Sequence, residues 1–136
     1  MRNPSDAWTG GGSQFVTDMG MRYLEVTAEH ATAELAIEDR HKTPVGAIHA
    51  GVLVGVADST ATALAITARS ALEGGDASFL VAIDLHAVFL ANQQGGTIRA
   101  ESRLVRAGRR VVVVRTVVTG DAGRTLCEVT TTHVPG

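Results

Sequence analysis

Residues 50–72 read Ala-Gly-Val-Leu-Val-Gly-Val-Ala-Asp-Ser-Thr-Ala-Thr-Ala-Leu-Ala-Ile-Thr-Ala-Arg-Ser-Ala-Leu. The run is too long for an ordinary strand and contains no proline, so it predicts a single helix of about six turns. Its side chains are apolar or small almost all round, the composition of a helix buried on most sides. The small ones let neighbouring backbone come close. Leu72-Glu73-Gly74-Gly75-Asp76 follows as a glycine cap and turn. Between Thr43 and Ala68 the only formally charged residue is Asp58. A membrane span would set that carboxylate near the bilayer centre, at a cost of roughly 3 kcal/mol. Pro44, Gly46, Gly51 and Gly55 also interrupt the stretch, so the expectation is a core helix and no membrane.

Outward from the helix the pattern changes to strands. Upstream, Phe15 to Val26 predicts one strand. Ala31, Ala33, Leu35 and Ile37, alternating with polar or small residues, predict a second. Glu38-Asp39-Arg40-His41-Lys42 is a charged turn, continued as loop by Pro44-Val45-Gly46. Downstream, four β segments are expected at roughly 78–91, 97–106, 109–120 and 124–134 as a meander, divided by glycine-bearing turns. The β-branched run Val111-Val112-Val113-Val114 reads as a strand covered on both faces. Two strands, one long helix and four strands make an α+β order: an antiparallel sheet wrapped around one central helix. One helix covers only one face, so the other face and the sheet edges call for a partner.

A chain of 136 residues, 45% hydrophobic and 19% charged, fits one domain with a real core. We take residues 1–12, polar and glycine-rich, as a flexible tail and residues 13–136 as the single domain. There is no apolar stretch after a basic start, so no secretory signal is expected. A net charge of −2 and only one Trp, one Tyr and three Phe argue against nucleic acid. The lone Cys127 closes no internal disulfide, which fits a reducing cytoplasm, and it is most simply a strand residue. Asp84 and His86 share a strand face but lack a third ligand, so no metal is expected.

Asp58 is the residue with the clearest chemical prospect. A buried, unpaired carboxylate is costly. It therefore either faces solvent, pairs with an arginine, or is poised for reaction. Thr62 lies one turn later on the same face, where its hydroxyl could hold a water beside the carboxylate or bond its own backbone. Gly46-Ala47-Ile48-His49-Ala50-Gly51 leads into the helix start. There the unpaired N–H groups and positive dipole end suit an oxyanion.

The run His49-Ala50-Gly51, with Asp58 nine residues after His49, resembles the hot-dog-fold acyl-CoA thioesterases. The likeness is strongest to the phenylacetate-degradation type and its relatives acting on 4-hydroxybenzoyl-CoA. It covers residues 13–134 and includes Ile83-Asp84-Leu85-His86-Ala87-Val88-Phe89 after the helix and the turn Arg106-Ala107-Gly108-Arg109-Arg110. What the resemblance implies is hydrolysis of an acyl-CoA thioester with no cofactor beyond the CoA of the substrate. Asp58 would be nucleophile or general base, the Ala50 N–H the oxyanion donor beside Gly51, and Thr62 a positioner of water. Acid and donor would come from opposite subunits of a homodimer, with a homotetramer the expected assembly. Three positions depart from the family. Ala50 replaces the first glycine of His-Gly-Gly, Thr43 stands where an Asn or Gln often helps polarise the carbonyl, and Ala82 stands where some members have Ser.

His49 is a structural or a catalytic imidazole. His41 with Asp58 would give the acid and base of a hot-dog hydratase or dehydratase, an alternative reading; a non-enzymatic acyl-CoA binder is another. Arg99, Arg103, Arg106, Arg109, Arg110 and Arg115 crowd one span with only Glu101 opposing. They make either a solvated strand face or, through Arg106, Arg109 and Arg110, a grip for the CoA phosphates.

Overall fold

The computed structural model describes residues 13–72, 74 and 79–136. The tail expected over residues 1–12, and residues 73, 75, 76 and 78 of the expected turn and strand, lie outside the described residues. In chain order the elements are α1 (Gln14–Met19), β1 (Arg22–Val26), β2 (His30–Ala36), a 3-10 turn (Asp39–His41), α2 (Ala50–Leu72), β3 (Leu80–Phe89), β4 (Thr97–Ala107), β5 (Val112–Thr119), a second 3-10 turn (Asp121–Gly123) and β6 (Thr125–Pro135).

Phe15 begins no strand. The expected strand over Phe15–Val26 is α1 followed by β1, and the local reasons are visible. Ser13 Oγ accepts from the Val16 N–H at 3.3 Å as N-cap. Gly20, at φ +87°, ends the turn in the left-handed region and donates to Thr17 and Val16 carbonyls. The Arg40 guanidinium donates to the last carbonyls, those of Asp18 and Met19. Gly55 of α2 receives Phe15: a Cβ there would meet the Phe15 ring at 3.3 Å.

The six strands form one antiparallel sheet in the order β1-β2-β4-β5-β6-β3. The last four strands are therefore not a simple meander. Helix α2 crosses the sheet and delivers the chain to the far edge as β3, which pairs with β6. The chain then returns through residues 90–96 to pair β4 with β2. Nor is the valine run covered on both faces. Val112 and Val114 are buried while Val113 between them is half-buried, because β5 alternates against α2.

Helix α2 is long and apolar enough to cross a membrane by length and composition. Here that surface is spent on the sheet. Leu53, Val56 and Leu64 share one core with Leu35, Ile98, Val112, Val114 and Leu126. Burying each such side chain stabilises the fold by roughly 1.5–3 kcal/mol. Thr60 and Thr67 are tolerated inside because their hydroxyls donate to the carbonyls one turn back, Val56 at 2.7 Å and Ala63 at 2.8 Å. Ser102 and Thr116 satisfy each other across β4 and β5 at 2.6 Å. Strand β3 is different: Ile83, Leu85, Val88 and Phe89 are exposed although they sit in a regular strand.

His133 is fully buried on β6, with Nε2 against Thr131 Oγ1 at 2.8 Å and no partner for Nδ1 among the described residues. Burial holds its imidazole below the usual value of 6.5. The unfolded chain therefore binds a proton that the folded chain refuses as pH falls below 6.5. Stability should decline with falling pH from that point, by up to about 1.4 kcal/mol per pH unit for this group. Urea midpoints at pH 7.5 and 5.5 should differ less in His133→Leu than in the parent. An equal difference in both proteins would place the pH dependence elsewhere.

Candidate active site

The start of α2 is held by backbone. Lys42 bridges Ile48, and between them the Thr43 N–H donates to the Ala47 carbonyl at 2.7 Å. The turn Thr43-Pro44-Val45-Gly46 closes with Gly46 N–H on the Thr43 carbonyl at 3.0 Å, and Gly46 takes φ +87°. The His49 N–H donates to the His41 carbonyl at 2.9 Å, and the His49 carbonyl accepts from Val52 at 3.0 Å. Ala50 and Gly51 then open the helix with amides that precede any intrahelical acceptor. Both residues are exposed, and a Cβ built on Gly51 would meet nothing within 4 Å. Ala50 is helical, without the positive φ that would demand glycine, so alanine costs nothing at this position.

His49 fixes the helix start through its main chain, while its side chain is exposed. The imidazole that organises this region is His41. It is buried, its Nδ1 accepts from the Glu38 N–H at 2.9 Å, and its Nε2 donates to the Met19 carbonyl at 2.7 Å. Both nitrogens are spent on backbone. Thr43 is half-buried, and its hydroxyl is enclosed without a hydrogen-bond partner among the described residues.

Asp58 lies two turns further along α2 and borders a cavity of about 330 Å³ with Thr62, Tyr23, Phe15, Ile66 and Phe79. Its neighbours at i+4 and i+8 fall on the same side of the helix. Asp58 Oδ1 is buried with no partner among the described residues. Burial raises the carboxyl above its usual 3.8. The Tyr23 phenol, donating to the Ser59 carbonyl at 3.3 Å, is pushed up to about 12 by its own burial and then by the Asp58 charge. Asp58 as a whole is half-buried, so part of it meets solvent, and no arginine pairs with it among the described residues. The structure leaves a carboxylate in a mostly apolar recess, where it can accept a proton or attack an electrophile.

The remaining residues lie apart from this recess. Ala82 is exposed on β3, paired with His133. Arg106, Arg109 and Arg110 are exposed at the β4–β5 hairpin, where Arg109 borders a groove of about 760 Å³ with Leu72 at the other end of α2. Arg103 pairs with Glu101, and Arg115 with Glu128 of β6, so those two arginines are neutralised on the outer sheet face. The walls Phe15, Tyr23, Ile66 and Phe79 were not legible as site residues. Only the Ser13 cap and Gly20 stop, which mark α1, hinted that Phe15 lies on a helix that sets its ring against Gly55.

Residues 45–127 match the family model described as the thioesterase superfamily. The 1,4-dihydroxy-2-naphthoyl-CoA hydrolase of Listeria monocytogenes is 25% identical over 109 residues, covering 80% of this chain and 85% of that protein. A solved thioesterase from Haemophilus influenzae superposes with TM-score 0.86 at 16% identity, covering 98% of this chain and 90% of that one. A hypothetical thioesterase from Streptococcus pneumoniae, solved with coenzyme A, gives TM-score 0.74 at 16% identity over 84% of each chain. The structural likenesses establish the hot-dog fold.

The raised carboxyl of Asp58 has a stability consequence. Its ionised form is disfavoured in the folded state, so the cost is present at neutral pH. It fades as pH falls through the raised folded value towards 3.8. Because Asp58 is only half-buried and solvent screens its charge, Asp58→Asn should raise Tm at pH 7.5 by no more than roughly 2 °C. The gain should shrink towards pH 4. Thermal melts at the two pH values check it, and an unchanged Tm at both would show a carboxylate that is already well solvated.

Proposed function

The chain belongs to the thioesterase superfamily, and from that premise we propose that it hydrolyses an acyl-CoA thioester to the free acid and CoA, at a site shared between two copies of the chain. The observation that carries the reading is Asp58: a buried, partnerless carboxylate oxygen facing a largely apolar cavity on the central helix. In the reaction, water adds its oxygen to the thioester carbonyl carbon, the C–S bond breaks, and the CoA sulfur leaves with a proton. Asp58 serves by taking the proton of the attacking water, or by attacking the carbonyl itself and being released by water. The Thr62 hydroxyl holds that water, and the Ala50 N–H, beside Gly51, receives the oxyanion. Thr43 is a weaker helper on the preceding loop.

Distance supports a shared site. Ala50 and Asp58 are eight residues apart on one helix, about 12 Å along its axis. One carbonyl cannot meet both within a single chain. A second chain running the other way past the first brings its own Ala50 to this Asp58. The apolar side chains exposed along edge strand β3 supply a surface for such a partner.

The subtype we favour is that of the phenylacetate-degradation and 4-hydroxybenzoyl-CoA thioesterases. Phe15, Tyr23, Ile66 and Phe79 around the cavity suit an apolar acyl group, and the Listeria relative is named for an aromatic one. Arg106, Arg109 and Arg110 are the proposed hold on the CoA phosphates. The hydratase reading loses ground because both His41 nitrogens are occupied.

A panel of aromatic and aliphatic acyl-CoAs with thiol detection tests the proposal. A hydrolase releases thiol, a hydratase changes acyl absorbance without it, and a binder does neither. Asp58→Asn should lower kcat by at least about 100-fold, the scale of a lost general base. A folded Asn variant with most of its activity would overturn this mechanism. Mixing Asp58→Asn chains with Ala50→Pro chains should restore activity on subunit exchange, since each hybrid dimer keeps one intact site. Hybrids that form and stay inactive would rule out the shared site.

A further inference from the structure

Asn92 lies in the β3–β4 connection, 44 residues from the segment it holds. Its Oδ1 accepts the Ile48 N–H at 2.8 Å, and its Nδ2 donates to the Ile48 carbonyl at 3.0 Å. The side-chain amide thus stands in for a neighbouring strand, pairing with both polar groups of one residue. Ile48 is already bridged to Lys42, and its side chain is buried in the core. Two residues later α2 begins. Asn92 is in turn fixed from behind. Its Oδ1 also accepts the Gln93 N–H at 2.8 Å. The Gln93 side chain donates to the Gly95 carbonyl at 2.6 Å and accepts from the Asp121 N–H at 3.0 Å.

An asparagine is chemically specific here. The site needs one acceptor and one donor on a flat group, which an ionised aspartate lacks and a serine is too short to present together. Fixing both Ile48 peptide planes limits the freedom of the two peptide links that follow, and so the direction of the first amides of α2. Oxyanion donors act through preorganised aim, so a modest loss of aim weakens the transition state more than the ground state.

We propose that Asn92 is a positioning residue for hydrolysis: by clamping the Ile48 backbone from the β3–β4 loop, it aims the Ala50 and Gly51 N–H groups at the substrate carbonyl. The inference rests on the thioesterase reading and adds to it a residue outside both the helix and the catalytic recess.

The test uses Asn92→Ala and Asn92→Asp on the full chain, with two readouts. The first is amide hydrogen exchange by NMR. In Asn92→Ala, Ile48 should exchange at least about tenfold faster, and the Ala50 and Gly51 amide resonances should shift, as expected when a protecting hydrogen bond is lost. The second is steady-state kinetics well below Tm. Asn92→Ala should lower kcat about tenfold, part of the 10²–10³ effect of losing a donor outright, with KM within about twofold. In Asn92→Asp the protonated carboxyl can donate where Nδ2 did, while the ionised one faces the Ile48 carbonyl with a second acceptor. Its kcat relative to the parent should climb as pH falls, whereas the ratio for Asn92→Ala should stay flat. Unchanged Ile48 exchange overturns the clamp. Faster exchange with unchanged kcat overturns the positioning role. A parent that releases no thiol while Ile48 exchange responds overturns the hydrolase reading and keeps the clamp.

Discussion

A single apolar helix must find cover from one sheet, and that demand organises the molecule. Helix α2 presents small and branched side chains to the inner faces of the strands, and the sheet curls to meet them. A helix so enclosed carries whatever polar residue it contains into the interior with it. Thr60 and Thr67 escape the cost by bonding to their own backbone. Asp58 has no such exit, and its oxygen is left without a partner. The fold therefore holds a charged group in a place where charge is disfavoured, the arrangement by which proteins tune carboxylates for proton transfer. Asp58 shares this cost with the His133 Nδ1 and the Thr43 hydroxyl, which are also enclosed without a partner among the described residues.

The two ends of the proposed chemistry are supported by different means. The carboxylate is placed by side-chain packing in the middle of α2. The amides at the helix start are placed by main-chain bonds that converge from distant segments: the His41 carbonyl on the His49 N–H, and the Asn92 amide on Ile48. His41 serves the same end from within the core, joining the 3-10 turn to the last residue of α1. A loop preceding a helix would otherwise be among the least ordered parts of a domain. Here it is tied directly to the 3-10 turn and to the β3–β4 connection, and through His41 to α1.

The helix was legible to its boundaries, because a 23-residue apolar run without proline has few other outcomes. β2 and the hairpin strands were legible from alternation. What alternation could not report was which strands meet. β3 follows the helix and precedes β4, yet pairs with β6, because the crossing of α2 decides where the chain re-enters the sheet. Phe15 was misread because a six-residue helix is too short to show a 3.6 period, and its caps were the better signal. Asp58 and Thr62 were legible as one helical face. The cavity walls Tyr23 and Phe79 were not, since they come from segments with no sequence relation to that face. Asn92 gave no local signal, because its partner is on the far side of α2 in the chain.

Strand β3 carries a consequence of another kind. It is an edge strand whose free side offers unpaired backbone, and Ile83, Leu85, Val88 and Phe89 are uncovered along it. An edge of that composition accepts any extended segment that reaches it first. Freshly synthesised chains that meet along this edge are therefore exposed to indiscriminate association. Mass action sharpens this: crowding many immature chains favours tangled aggregates. The tendency to aggregate on overexpression thus rests on ten residues at the margin of the sheet, more than on the packing of its centre.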